Sequence, residues 1–276
     1  MKSKQPFFSV IIPTLNEERY LPRILESLHR QTFPDFEVIV VDGKSTDRTV
    51  PLARDFEHKL PRLSIIISTN QSVSFQRNTG AAKARSDYLV FFDADVQIPN
   101  NFFRKIHDTI TKQKYMLLCT YMKPDANDTK DWMIVTVGNI SMEIGNLLDK
   151  PFVGGFNIIV HKSVFTQVGG FNEKLALSED FDLAQRCLNA GVRMKILHTP
   201  RIVMSLRRFR HEGYFPILRK YAQASLYYVL RGPIKKAMFK YEMGGQIYQK
   251  GQRISFQALA RFEKWLLKTV RQFLNI

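Results

Sequence analysis

Three apolar runs in the first hundred residues each end in polar residues rich in carboxylates. Residues 7–12 lead into Pro13-Thr14-Leu15-Asn16-Glu17-Glu18, residues 36–41 into Asp42-Gly43-Lys44-Ser45-Thr46-Asp47, and residues 88–92 into Asp93-Ala94-Asp95. Carboxylates gathered on one rim repel one another, and a divalent cation relieves that repulsion. Asp-X-Asp behind a buried strand suits such an ion, because hard oxygen donors hold Mg²⁺ or Mn²⁺ and leave coordination positions open for phosphate oxygens. Asp93 and Asp95 are therefore the expected metal ligands. Farther on, Ser178-Glu179-Asp180 opens a segment of helical period. A carboxylate there can take the proton of an attacking hydroxyl. It can also simply complement the helix dipole behind a Ser178 cap.

The elements that must position these groups follow from hydrophobic period. Strands are expected near 7–12, 36–41, 63–67 and 88–92, with helices near 18–30, 46–57 and 74–85 between them. That alternation predicts βαβ units and a mostly parallel sheet, in which ligands bind beyond the carboxyl ends of the strands. A helix at 100–113, a strand at 115–121 and a mixed apolar stretch over 131–148 follow. A strand near 156–160, a helix over 179–190 and short strands around 193–205 complete the expected catalytic domain, residues 1–205.

Taken in order, these motifs resemble glycosyltransferase family 2. They are Pro13-Thr14-Leu15-Asn16-Glu17, Val41-Asp42-Gly43, Arg77-Asn78, Asp93-Ala94-Asp95, and Gly169-Gly170-Phe171 ahead of Glu179-Asp180. The resemblance covers about residues 7–205 and implies the nucleotide-binding α/β fold called GT-A. It further implies that Pro13, Thr14, Asn16 and Glu17 line the nucleotide pocket. Asp42 would read the base or ribose, and Arg77 would lie near the same moiety or the diphosphate. Asp93, Ala94 and Asp95 would hold the ribose and the metal, and Asp180 would be the base of an inverting displacement. Glu179 and the Gly154-Gly155 segment with Asn157 would shape the acceptor and sugar pocket. The implied donor is a UDP- or GDP-linked sugar and the implied cofactor Mn²⁺ or Mg²⁺. Gly43 and Lys44 follow Asp42 where the family often has a second acidic residue, which leaves the base that is read open. The chain has no Gln-X-X-Arg-Trp, so transfer of one sugar per encounter is expected rather than processive synthesis.

The net charge of +16 is concentrated at the end of the chain: residues 201–276 hold 16 Lys or Arg against 3 Asp or Glu. Residues 206–276 are accordingly expected to form a basic helical extension. Arg207, Arg208, Arg210 and His211 follow the catalytic domain directly and are suited to clamp a diphosphate. Between residues 252 and 276, Leu259, Phe262, Leu266, Val270, Phe273 and Leu274 share one helical face, opposite Arg261, Lys264, Lys268 and Arg271. That pattern fits an interfacial helix on anionic lipid, with a lipid-linked acceptor, and equally fits packing on the domain or on a second subunit. A nucleic-acid-binding protein would explain the basic tail but not the carboxylate rim. A nucleotidyltransferase would carry a glycine-rich basic loop after the first strand, and Thr14-Leu15-Asn16-Glu17 is not one. Cys119 and Cys187 have no metal-ligand spacing. With neither a signal peptide nor a spanning apolar segment, a cytoplasmic protein, peripheral at the cytoplasmic face of the membrane, is expected.

Overall fold

The computed structural model describes residues 5–236, 238–239 and 244–245. The amphipathic segment 252–276 lies outside the described residues. Among the described residues seven strands form one sheet: β1 (Phe8–Thr14), β2 (Phe36–Asp42), β3 (Leu63–Ile67), β4 (Tyr88–Phe91), β5 (Leu117–Pro124), β6 (Ile158–His161) and β7 (Lys195–Met204). Their order is β3-β2-β1-β4-β6-β5-β7. β1 pairs in parallel with both β2 and β4, so the three carboxylate-bearing strand ends are neighbours on one rim, as the expected parallel sheet requires. β6 alone runs antiparallel, between β4 and β5. The short strands expected around 193–205 are one strand, whose register against β5 shifts between Thr120 and Met122.

Helices cover the sheet: α1 (Leu21–His29), α2 (Thr49–Arg54), α3 (Val73–Lys83), α4 (Phe102–Gln113), α5 (Thr129–Leu147), α6 (Lys162–Gln167), α7 (Glu179–Asn189), α8 (Arg207–Glu212) and α9 (Tyr214–Arg231). α1 shows the usual logic: Leu21, Ile24, Leu25 and Leu28 lie at helical spacing on one buried face. α2 is shorter than the helix expected over 46–57, because Asp47 binds both the Thr49 N–H and the Thr49 hydroxyl and holds the preceding residues in a loop. α3 lies close against β1 at Gly80, where a Cβ would come within 2.4 Å of Ile11. This approach sets Arg77, one turn earlier, at the rim. The mixed stretch 131–148 is helical as far as Leu147, as the bulk of α5.

Composition changes at residue 206, but packing does not. Leu206, Phe209 and Ile217 are buried in the same core cluster as β1, β2 and β4. Among the described residues no helix is long and apolar enough to cross a membrane. Both cysteines are free and buried.

Candidate active site

The β1 and β2 ends are stitched together before any ligand is considered. Asp42 is 1% exposed. It accepts hydrogen bonds from the Thr14 hydroxyl at 2.9 Å and from the Ser45 N–H and hydroxyl at 2.8 and 2.6 Å. Asn16, in the left-handed region at φ 54°, donates its N–H to Ser45 Oγ and accepts from the Thr46 N–H. Pro13 and Thr14 lie within β1 itself. These residues form the frame of the rim, and most of the Asp42 acceptor capacity serves its own loop.

Glu17 projects from that frame toward the β4 end. Its carboxylate takes a two-pronged ion pair from Arg207 at 2.6 and 2.7 Å, and Arg207 Nε reaches Asp95 at 2.8 Å. The same guanidinium lies 4.3 Å from the centre of the Tyr20 ring. Burial pushes the Glu17 carboxyl up to about 7, and the charges of Asp95 and Asp93 add to the rise against the pull of Arg207. Asp95 is raised as well, first by burial, with the Asp93 charge adding to the effect. Ala94 between them is buried.

A second arginine ties this rim to the α7 start. Arg77 is 2% exposed and donates to Asp93 at 2.8 Å and to Glu179 at 2.9 Å. Its guanidinium also faces the Phe171 ring at 5.2 Å. The loop after Gly169-Gly170 is held by Asn78, which donates to the Phe171 carbonyl and to Glu173 and accepts from the Phe171 N–H. Next to Glu179, Asp180 is half-buried. Its Oδ2 accepts the Gly155 N–H at 2.8 Å and its Oδ1 the Phe181 N–H at 2.9 Å. Desolvation and the Glu179 charge push the Asp180 carboxyl up to about 7, while Arg77 and the two backbone donors oppose the rise. Ser178 sits at the N-cap in the left-handed region and its hydroxyl makes no cap bond, so the cap considered from sequence is absent.

The remaining expected residues are placed as follows. Gly155 passes so close to Arg77 that a Cβ would lie 2.4 Å from Nη1, and a Cβ on Gly154 would strike the Phe156 ring. Asn157 is inside the sheet, with its amide bonded to Thr120 on both sides, so it braces β5 against β6. Arg208 lies 3.8 Å from Glu212, and its charge still reaches Asp95. His211 is half-buried on α8. Arg210 turns to Asp125 and Asp131, away from Glu17 and Asp95, because those two carboxylates flank the start of α5. Sequence spacing did not show that Arg207 would meet Glu17 across 190 positions; the run of arginines after β7 was its only signal.

A rim of Asp93 and Asp95 offers oxygen donors of the type a hard cation takes. Among the described residues no third His, Cys, Asp or Glu joins them into a closed metal cage. Two carboxylates with the remaining positions left to water and ligand oxygens fit a cation that bridges to a phosphorylated ligand.

The sheet order and the carboxylate rim at the strand ends are those of a sugar-transferring enzyme of the GT-A type. The profile of Glycosyl transferase family 2 matches residues 9–169, and the chain belongs to that family. It is 30% identical over 210 residues to the PGL/p-HBAD biosynthesis glycosyltransferase of Mycobacterium bovis (strain BCG / Pasteur 1173P2), covering 74% of this chain and 78% of that one. Among solved structures it is similar to S. aureus TarS 1-349 in complex with UDP-GlcNAc, with a TM-score of 0.58 and 26% identity, covering 72% of this chain and 58% of that one. The mannosyltransferase PcManGT from Pyrobaculum calidifontis, in complex with GDP-Man and Mn2+, shares the fold at a TM-score of 0.64 and 20% identity, covering 81% of this chain and 63% of that one.

Proposed function

We propose that the chain transfers a single sugar, with inversion, from a nucleoside-diphosphate donor to the hydroxyl of a lipid-linked acceptor at a membrane surface. The observation that carries this reading is the continuous path Asp95–Asp93–Arg77–Glu179–Asp180. One buried guanidinium bonds both Asp93, of the candidate cation-binding pair, and Glu179, the chain neighbour of the candidate base. Similarity to TarS, solved with UDP-GlcNAc, supports a nucleotide sugar as donor.

Asp95 and Asp93 would hold Mn²⁺ or Mg²⁺, and such an ion neutralises charge on the leaving diphosphate. Glu17, Asn16 and Asp42 frame the nucleotide side, with Arg207 and Arg208 on the diphosphate side. Asp180 takes the acceptor proton. Each of its oxygens accepts one backbone N–H and keeps a second acceptor site for the hydroxyl. Its raised ionisation brings its basicity close to neutral pH, where a general base works best. Glu179, held in place by its ion pair with Arg77, sustains that rise through its charge and borders the acceptor side together with Gly154 and Gly155.

The test is a thermal-shift series with UDP and GDP, with and without Mn²⁺. A ligand that binds only the folded chain raises its melting temperature. One nucleotide should stabilise the chain in Mn²⁺ only, and Asp95→Ala should abolish that shift. Equal shifts in chelator, or in the Asp95→Ala protein, contradict the metal assignment.

A further inference from the structure

α5 places polar as well as apolar residues on its buried face. Its buried positions include Asp131 and Asn139. Asn139 bonds both the N–H and the carbonyl of Met122, each at 3.0 Å, and Asp131 accepts from Tyr214 and Arg210. These two inward polar groups of the helix are thus satisfied, beside the buried Val135, Met142 and Gly145. Outward it presents Met133, Val137, Ile140, Ile144, Leu147 and Leu148, each between 50% and 79% exposed. Their spacing places them on one face. From Trp132 to Met142 the helix carries no charged residue. A contiguous apolar surface of this kind marks an interaction site.

The rim of the stripe identifies the occupant. Lys130 and Lys150 are exposed at its two ends. Along one side, Arg193 donates to the Asn146 carbonyl and to Asp149 at 2.8 and 2.6 Å. Exposed Arg201 lies over the Tyr121 ring, whose hydroxyl bonds Glu143 of α5. Of the acids near this rim, Asp149 pairs with Arg193, Glu143 bonds His198 and the Tyr121 hydroxyl, and Asp128 caps the helix beside Lys130. An apolar stripe bordered by cations matches an anionic leaflet, with the side chains at the acyl boundary and Lys and Arg at the headgroups. A second copy of the chain seated on the same stripe would set the cationic rim against itself. We infer that the outward face of α5 is a docking surface for an anionic lipid bilayer.

The surface lies one short segment from the candidate base. At Gly145, α5 lies so close to Phe152 that a Cβ would meet the ring at 2.5 Å. Phe152 packs on Phe181 at 5.0 Å, and the intervening chain delivers the Gly155 N–H to Asp180. A leaflet seated on α5 therefore brings a lipid-anchored acceptor to the Asp180 side of the site. That consequence rests on Asp180 being the base, whereas the docking itself does not.

Flotation of the full chain with vesicles of phosphatidylcholine plus phosphatidylglycerol, against phosphatidylcholine alone, tests the surface. Val137→Ser, Ile140→Ser and Ile144→Ser change only exposed positions, so the combined variant should keep its melting temperature and nucleotide binding. Its partition onto anionic vesicles should fall at least about tenfold, through loss of apolar area from the contact. Trp132 is 39% exposed at the start of the stripe. With the chain's other tryptophan replaced, Trp265→Phe, its emission should shift to the blue with anionic vesicles and stay unchanged with neutral ones. Vesicle binding by the triple variant equal to the parent, or unshifted Trp132 emission, overturns the inference. A parent that ignores vesicles yet sediments as a dimer, which the triple variant dissolves, assigns the stripe to a second copy and overturns it equally. Loss of nucleotide binding in the parent would remove the donor reading and leave the docking result standing.

Discussion

If Asp180 takes the acceptor proton, turnover must follow its ionisation. Burial and the neighbouring Glu179 carboxylate raise it from 3.8 to about 7. A base works when ionised, so activity should rise with pH and level off above about 7. With that midpoint only about one molecule in a hundred carries the ionised base at pH 5, and kcat should be about a hundredfold below its plateau. An Asp at its ordinary value would lose less than about a tenth of its ionised fraction at the same pH. The assay is nucleoside diphosphate released by donor hydrolysis, with water standing in for the acceptor. It is run at saturating donor and Mn²⁺ so that titration of Glu17 and Asp95 falls in KM. Asp180→Asn should lower kcat by about 10² or more and abolish the slope. Glu179→Gln removes the like charge and should move the midpoint to lower pH. A flat kcat from pH 5 to 8 in the unmodified chain, or an Asp180→Asn protein that keeps both rate and slope, refutes the assignment.

Two further outcomes follow from the same geometry. Glu17 holds its proton more tightly when folded, about 7 against 4.5. Its contribution to stability is therefore fully present below about pH 4.5 and lost as pH rises through 7, about 3 kcal/mol in all. Without metal, Glu17→Gln should remove that decline from the pH profile of denaturant midpoints, and an unchanged profile contradicts the burial argument. Gly155→Ala would push a methyl to 2.4 Å from Arg77 Nη1, and that guanidinium is boxed in by Asp93 and Glu179. It should cost about 1–3 kcal/mol of stability and depress kcat. A fully stable, fully active Gly155→Ala protein would show that Arg77 can move aside.

The rim was legible because a parallel sheet puts successive strand ends on one edge, so three apolar runs with acidic ends place their carboxylates together before any contact is known. Asp42 and Asn16 were legible as rim residues but not in their local work, because the donors that occupy them, Ser45, Thr46 and Thr14, come from turns whose geometry a residue list does not specify. Arg77 shows the same division. Its helix was predicted, yet its position between Asp93 and Glu179 depends on the close approach of α3 at Gly80. The boundary placed at 206 followed composition, which reports mainly the residues that face water. Leu206, Phe209 and Ile217 are few among many basic neighbours, but they are the ones that pack.

α5 explains most clearly why the remainder was hidden. A periodic pattern says that a helix has two unlike faces and does not say which one is inside; the usual inference that the apolar face is buried supplies that missing fact. Here it holds only in part: Val135 and Met142 are buried, but on the same inward face Asn139 bonds the Met122 backbone and Asp131 answers Arg210 and Tyr214. Each inward polar group satisfies a buried donor or acceptor that would otherwise be costly. Water is thus left facing Met133, Val137, Ile140, Ile144, Leu147 and Leu148. Burying that face against β5 instead would strand the Met122 backbone groups and expose Asp131 away from its arginine. The polar contacts therefore decide the orientation of the helix, and the apolar stripe is directed outward by the same bonds that anchor it.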